Sequence, residues 1–241
     1  MNSDLNSPDR WLSFGLAFVG GFGDAAGFVL AKTFTGHITG SLVLGAITIA
    51  AHDRRGALEH FTATACFLTG IPLSVLIARW TATRSSWALL PITMGIEVIL
   101  IVAAYLALVS RLASGTEIFV VCLALALGMQ NGAFRRSEGI SVHTTYLTGL
   151  ITGLLTTEAE KYAHYVAPRS STAPNSKAGI LYGIWCTFVL GAGTGAAAVF
   201  HFGERGILLS AFILLAIIAR SLATTSRAYS ANGGSGSRAL F

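Results

Sequence analysis

The chain has 241 residues, 53% of them hydrophobic and only 11% charged, and its mean hydropathy is +0.66. Soluble domains carry roughly a quarter of their residues charged, so this composition excludes an ordinary water-soluble protein and identifies an integral membrane protein. The net charge of +5 lies mostly in predicted loops and after Leu222; lacking any patch of interleaved basic and aromatic residues, it reads as membrane-surface and orientation signal and not as a nucleic-acid footprint.

In chain order, a polar segment, 1–10, precedes an apolar run over 11–31, the length of about 20 residues that a hydrocarbon core demands. No cleavable signal peptide is expected, because the flank MNSDLNSPDR is not basic and no small-residue cleavage site follows. Further runs of spanning length cover 58–80, 87–109, 116–134, 178–200 and 206–222. Two shorter runs, 36–51 and 144–157, each open on an unusual polar element, FTGHITGS at 34–41 and HTTYLTG at 143–149. The remaining residues, 223–241, contain ANGGSGS and scattered arginines and are predicted to be a disordered, solvated tail.

These elements form an internal repeat. Gly21-Phe-Gly-Asp24 aligns with Gly128-Met-Gln130-Asn131, and, after a two-residue insertion, Thr35-Gly36-His-Ile-Thr39-Gly40 aligns with Thr144-Thr145-Tyr-Leu-Thr148-Gly149. Farther along, Phe67-Leu-Thr-Gly70 matches Phe188-Val-Leu-Gly191. A single polytopic membrane domain, 11–222, thus divides into repeat one, 11–112, and repeat two, 113–222. The expected fold is all-α, with six full spans plus two short Thr-Gly-initiated helices. If the short helices are re-entrant, the repeats are inverted, an arrangement used by secondary transporters; if they cross, eight spans form two parallel four-helix repeats. With the N-terminus inside, positive-inside counting places about 10 of the 16 Lys and Arg inside in the crossing arrangement and about 11 in the re-entrant one, so it does not discriminate. Length favours re-entrance, since about 16 residues of helix rise about 24 Å, short of a core of roughly 30 Å.

Two acids lie inside apolar runs, Asp24 and Glu97. An intramembrane carboxylate costs about 3 kcal/mol on insertion scales, so each should face protein or water. Asp24 has two readings: a proton- or cation-binding carboxylate, or a brace whose oxygens satisfy backbone donors of the broken segment. Its repeat equivalent Asn131 can accept hydrogen bonds but cannot ionise, so a shared role would be bracing. Glu97 has no clear repeat counterpart; its candidate partners are Lys32, Arg135, Arg136 or a water-filled path, the alternative being a neutral acid bonded to a neighbouring helix. The Thr-Gly elements offer free N–H groups at short-helix starts, where polar or anionic groups bind. Their alternative role is helix packing, since Gly23 and Gly27, Gly36 and Gly40, Gly149 and Gly153, and Gly191 and Gly195 are spaced for close approach of membrane helices.

His37 and His143 flank these elements but align with Tyr146 and Phe34, so they are read as polar-aromatic filler and no metal site is expected. Cys66, Cys122 and Cys186 lack CxxC spacing and are read as small buried residues. GFGDAA at 21–26 mimics a dinucleotide fingerprint, but no strand precedes it. No HExxH, GxSxG or phosphate-loop pattern occurs, and neither an enzyme nor a cofactor is expected.

At Gly21 to Ala25, Phe34 to Gly40, Ala126-Leu-Gly-Met-Gln-Asn131 and Thr144-Thr-Tyr-x-Thr-Gly149 the sequence resembles the YoaK-like bacterial membrane proteins, a family grouped as a domain of unknown function. Family members usually read Thr-Gly-Asn where this chain has Thr39-Gly40-Ser41. The resemblance implies a multi-span protein of the bacterial inner membrane and supplies no substrate or catalytic residue. The physical reading leads to a small secondary transporter or permease-like protein with a midplane site between the repeats, coupled to protons or cations. The site is expected at Asp24, Asn131, Gln130, Glu97, Thr35, Thr39, Gly36, Gly40, Thr144, Thr145, Thr148 and Gly149. Its partners would be the lipid bilayer and a small solute or ion, with a homo-oligomer formed through glycine-rich helix faces. The alternative is a non-transporting scaffold or assembly protein.

Overall fold

Where no water reaches the backbone, a continuous apolar run satisfies its N–H and C=O groups by becoming helical, and each of the six long runs does so. The computed structural model describes residues 8–82, 89–133, 136–137, 140–141, 152, 155–156, 159 and 178–233. Its helices are α1 (Pro8–Ala31), α2 (Ile38–Ala50), α3 (Arg54–Ala82), α4 (Leu89–Val109), α5 (Gly115–Ala133), α6 (Ala178–Phe202) and α7 (Leu208–Gly233), with a 3-10 turn, Gly203–Ile207, between the last two. A two-residue antiparallel ladder pairs Arg136–Ser137 with Ile140–Ser141. The last helix continues to Gly233, past Leu222, where the sequence reading starts the disordered tail; the stretch LATTSRAYSAN, 222–232, is largely polar yet has no Pro to stop the helix before Gly233.

Among the described residues five stretches are long and apolar enough to cross a membrane, the last of them, 179–224, continuous through α6 and α7, while Ile38–Ala50 is apolar but short. Large apolar side chains such as Leu58, Leu76, Leu190, Phe200 and Phe212 point outward, the distribution expected of surfaces that lipid covers. The three cysteines are free. Helices α1, α2 and α4 stop without glycine: Lys32, His52 and Arg111 adopt the left-handed conformation that commonly ends a helix.

Contacts between helices give their directions. Gln130 on α5 donates to the Leu16 carbonyl of α1, Leu127 packs on Gly23, and Leu123 on Gly27. As α1 ascends, its partners on α5 descend, so these helices are antiparallel. Phe67 and Ile71 on α3 place their carbonyls against Gly128 and Gly132 on α5, a parallel pairing. Phe18 and Phe22 on α1 meet Gly191 and Gly195 on α6, also in parallel. Consequently α1 and α3 point in opposite directions. Helix α2 runs antiparallel to α3, with Gly45 against Phe61 and Thr48 against Gly56. The central helices are α1 and α5, whose apolar spans are more buried than those of α3 and α4.

Candidate functional site

A helix entering on FTGHITGS begins with backbone donors that no preceding turn can satisfy. The side chain of His37, at the N-cap of α2, makes no capping hydrogen bond. The donors of the break are met instead from α1. Asp24 Oδ1 accepts the Thr35 N–H at 2.9 Å and the Gly36 N–H at 2.8 Å, and His37 Nδ1 donates to Asp24 Oδ2 at 2.7 Å. Asp24 is buried and lies about 10 Å below the end of α1 at 1.5 Å per residue. A carboxyl that takes three hydrogen bonds from the break is placed to brace it, one of the two roles expected of Asp24.

The surroundings keep this arrangement in place. Gly36 sits over the Asp24 carboxyl and against Leu127 of α5, and a side chain at Gly27 would collide with the Thr35 hydroxyl. Ser41, in the first turn of α2, donates to the Phe34 carbonyl at 2.6 Å and ties the helix back to the break. Phe34 stacks on Phe28 with ring centroids 4.5 Å apart. Nine residues beyond Asp24, just past the end of α1, a second polar contact joins the same segment to α3, where the Thr33 hydroxyl and His60 Nδ1 are 3.2 Å apart, both side chains buried.

His37 is the residue that the sequence reading passed over. Treated as filler because its repeat equivalent is Tyr146, it is instead oriented by Asp24. Its ring is partly exposed between Phe34 and Phe188, at centroid distances of 5.9 and 6.1 Å, and α6 thereby joins α1 and α2 at the site. Among the described residues its Nε2 has no hydrogen-bond partner, which leaves one ring nitrogen able to meet a solute or a proton. The available signal was the pairing of an intramembrane acid with a histidine at the break; aligning the repeats suppressed it.

Not all the expected residues converge. Asp24, Thr35 and Gly36 do, and Gly40 lies under the Phe34 ring, whereas Thr39 is exposed. Gln130 is buried and its amide nitrogen donates to the Leu16 carbonyl at 2.6 Å, while its Oε1 and the neighbouring Asn131 Oδ1 are buried without partners among the described residues. Thr35 Oγ1 is in the same condition. Glu97 lies apart, on α4, which packs on α5 and α7. Lys32, one of its candidate partners, donates to the Val29 carbonyl instead. Thr144, Thr145, Thr148 and Gly149 lie outside the described residues, as do the side chains of Arg135 and Arg136. No group of three metal-ligating side chains occurs among the described residues.

Comparison with known proteins agrees with the resemblance seen in the motifs. The family described as Protein of unknown function (DUF1275) matches residues 12–220, and the chain belongs to that family. No curated protein and no solved structure matches the chain.

Proposed function

We propose, for this member of a family without an assigned activity, a small secondary transporter of the bacterial inner membrane. It performs no enzymatic chemistry and moves a small polar solute or ion past the break between α1 and α2. The observation that carries this reading is the Asp24 carboxylate accepting the Thr35 and Gly36 amides and the His37 ring inside the membrane domain. Irregular backbone at membrane depth is tolerated where it is buried in protein or lines a cavity. Secondary transporters use helices that start there to present polar groups to a substrate.

The same reading takes 11–112 and 113–222 as inverted repeats, with six full spans and α2 re-entrant. Helices α1 and α5 open the two repeats and run antiparallel, as inversion requires. A crossing α2 would leave α1 and α3 parallel, and they are opposed. The close glycine contacts also recur in register: Gly21 meets Phe188 as its equivalent Gly128 meets Phe67, and Gly191 meets Phe18 as Gly70 meets Leu125. The 13 residues of α2 rise about 20 Å, enough to return from the level of Asp24 to the side that α1 reached. Single cysteines at His52 and Ser170, in a background without Cys66, Cys122 and Cys186, are expected to react with a membrane-impermeant maleimide from opposite sides. Labelling from the same side would replace this topology with eight spans.

Transport is tested in proteoliposomes containing a trapped pH-sensitive dye, challenged with amino acids, sugars, organic acids and monovalent cations. At least one solute class is expected to evoke a proton movement absent from protein-free liposomes, and His37→Gln is expected to slow it. If folded protein gives no solute-dependent flux across the panel, the scaffold reading takes its place, with the Asp24 network serving only to brace α2.

A further inference from the structure

Among the described residues two acids, Asp24 and Glu97, are buried, and their surroundings are opposite. Asp24 receives three hydrogen-bond donors. Glu97 is 1% exposed, its Oε1 is buried without a partner, and no ion pair or hydrogen bond from a described residue reaches its carboxyl. It shares one face of α4 with the buried apolar side chains Met94, Ile101 and Ala104, and with the buried Thr93 one turn before it. At 1.5 Å per residue it lies roughly 12 Å from the start of α4 and roughly 18 Å from its end, well inside the hydrocarbon span.

Among the described residues, the helices packed on α4 supply no counter-ion. On α3, Arg55 is engaged with Glu59 and Glu117, His60 with Thr33, and Arg54 and Arg79 are exposed near the helix ends. On α7, Arg220 lies over the Trp11 ring at 4.2 Å, and Arg205 of the 3-10 turn is exposed, as is Glu204. The remaining titratable groups on these elements away from the helix ends are the thiols Cys66 and Cys122, with Tyr105 on α4 itself. None of the ion pairs among the described residues includes Glu97. Among the described residues no group of three metal-ligating side chains includes Glu97. What a carboxyl with no donor or cation among the described residues can bind is a proton, because the neutral acid avoids burying an uncompensated charge.

We propose that Glu97 is the proton-binding site of this protein: it rests as the neutral acid and exchanges that proton with water when the surrounding helices move. This deepens the transport reading and rests on it for the use of the proton, while the division of labour between the two acids stands on their surroundings. Asp24 holds the α1–α2 break, and Glu97 cycles.

The test is infrared spectroscopy on the full-length protein in liposomes, comparing wild type with Glu97→Gln and using the proton itself as ligand. Near neutral pH the wild type should show the carbonyl stretch of a neutral carboxylic acid. Glu97→Gln should lack it, and transfer to heavy water should shift it within minutes. Absence of the band from wild type at neutral pH would mean that Glu97 is ionised, and a band that neither exchanges nor responds to pH would mean a sealed structural acid; either overturns the proposal. Glu97→Asp, which keeps the carboxyl, should retain an exchangeable band and guards against a folding defect in the glutamine variant. Failure of the solute panel would leave this band in place, and loss of the band would leave solute flux in place, so the two ideas fail separately.

Discussion

Asp24→Ala is expected to destabilise the folded membrane domain by about 3–5 kcal/mol, the usual consequence of removing one partner from a buried charged network. The alanine would strand the Thr35 and Gly36 amides, each an unmet buried donor worth about 1–3 kcal/mol, and would release His37 as well. Asp24→Asn should be much milder. Its amide oxygen can still accept both backbone N–H groups, and only the contact to His37 must change, because an amide NH2 donates and His37 Nδ1 would then have to accept. His37→Gln should be milder again, since it leaves α2 with its two braced amides. Thermal unfolding in detergent of the four proteins checks the order wild type, His37→Gln, Asp24→Asn, Asp24→Ala. An alanine variant as stable as the asparagine variant would mean that Asp24 does not brace the break. The same series separates bracing from transport: Asp24→Asn should keep the fold while altering the orientation of the His37 ring.

Much of this was legible in the residues themselves. Composition gives the membrane class, and the six long apolar runs fall on six helices, because hydrocarbon leaves a chain few alternatives to helix. The short run 36–51 becomes α2, Ile38–Ala50, with its start displaced by the residues that carry the break. Asp24 was recognisable because a carboxylate in an apolar run must have a reason, and of its two readings the brace could be foreseen from the unsatisfied amides that every helix start presents. His37 was not recognisable, since its role depends on a fold-back that places it beside a residue 13 positions earlier, and no helical periodicity spans a break. Helix direction was equally hidden. Charge counting compares loops whose basic residues are nearly balanced between the two topologies, whereas direction appears at once when Leu16, Gly23 and Gly27 are seen to meet Gln130, Leu127 and Leu123 in descending order.

Glycine spacing announced close helix approach without saying which helices approach, and this leads to the second large effect. Gly128→Ala is expected to cost about 1–3 kcal/mol, and Gly128→Leu more, through overpacking. A methyl group at Gly128 would meet the Phe67 carbonyl oxygen and would lie 2.9 Å from both the carbonyl carbon and Cα of Phe67. These are backbone atoms of α3, which cannot rotate away as a side chain can, so relief requires α3 and α5 to separate along a contact where both are tightly packed. Gly95→Leu on α4 provides the control, since nothing lies within 4 Å of its added carbon, and a change within about 0.5 kcal/mol is expected there. Unfolding midpoints for the three variants decide whether the approach is as close as described; a neutral Gly128→Ala would refute it. Gly21→Ala extends the argument to the repeat. Its methyl group would meet the Phe188 carbonyl on α6 just as that of Gly128 meets Phe67 on α3, and the inverted repeats proposed above therefore predict matching losses. Since the sites sit on different helix pairs, those losses should also add in the double variant to within about 0.5 kcal/mol.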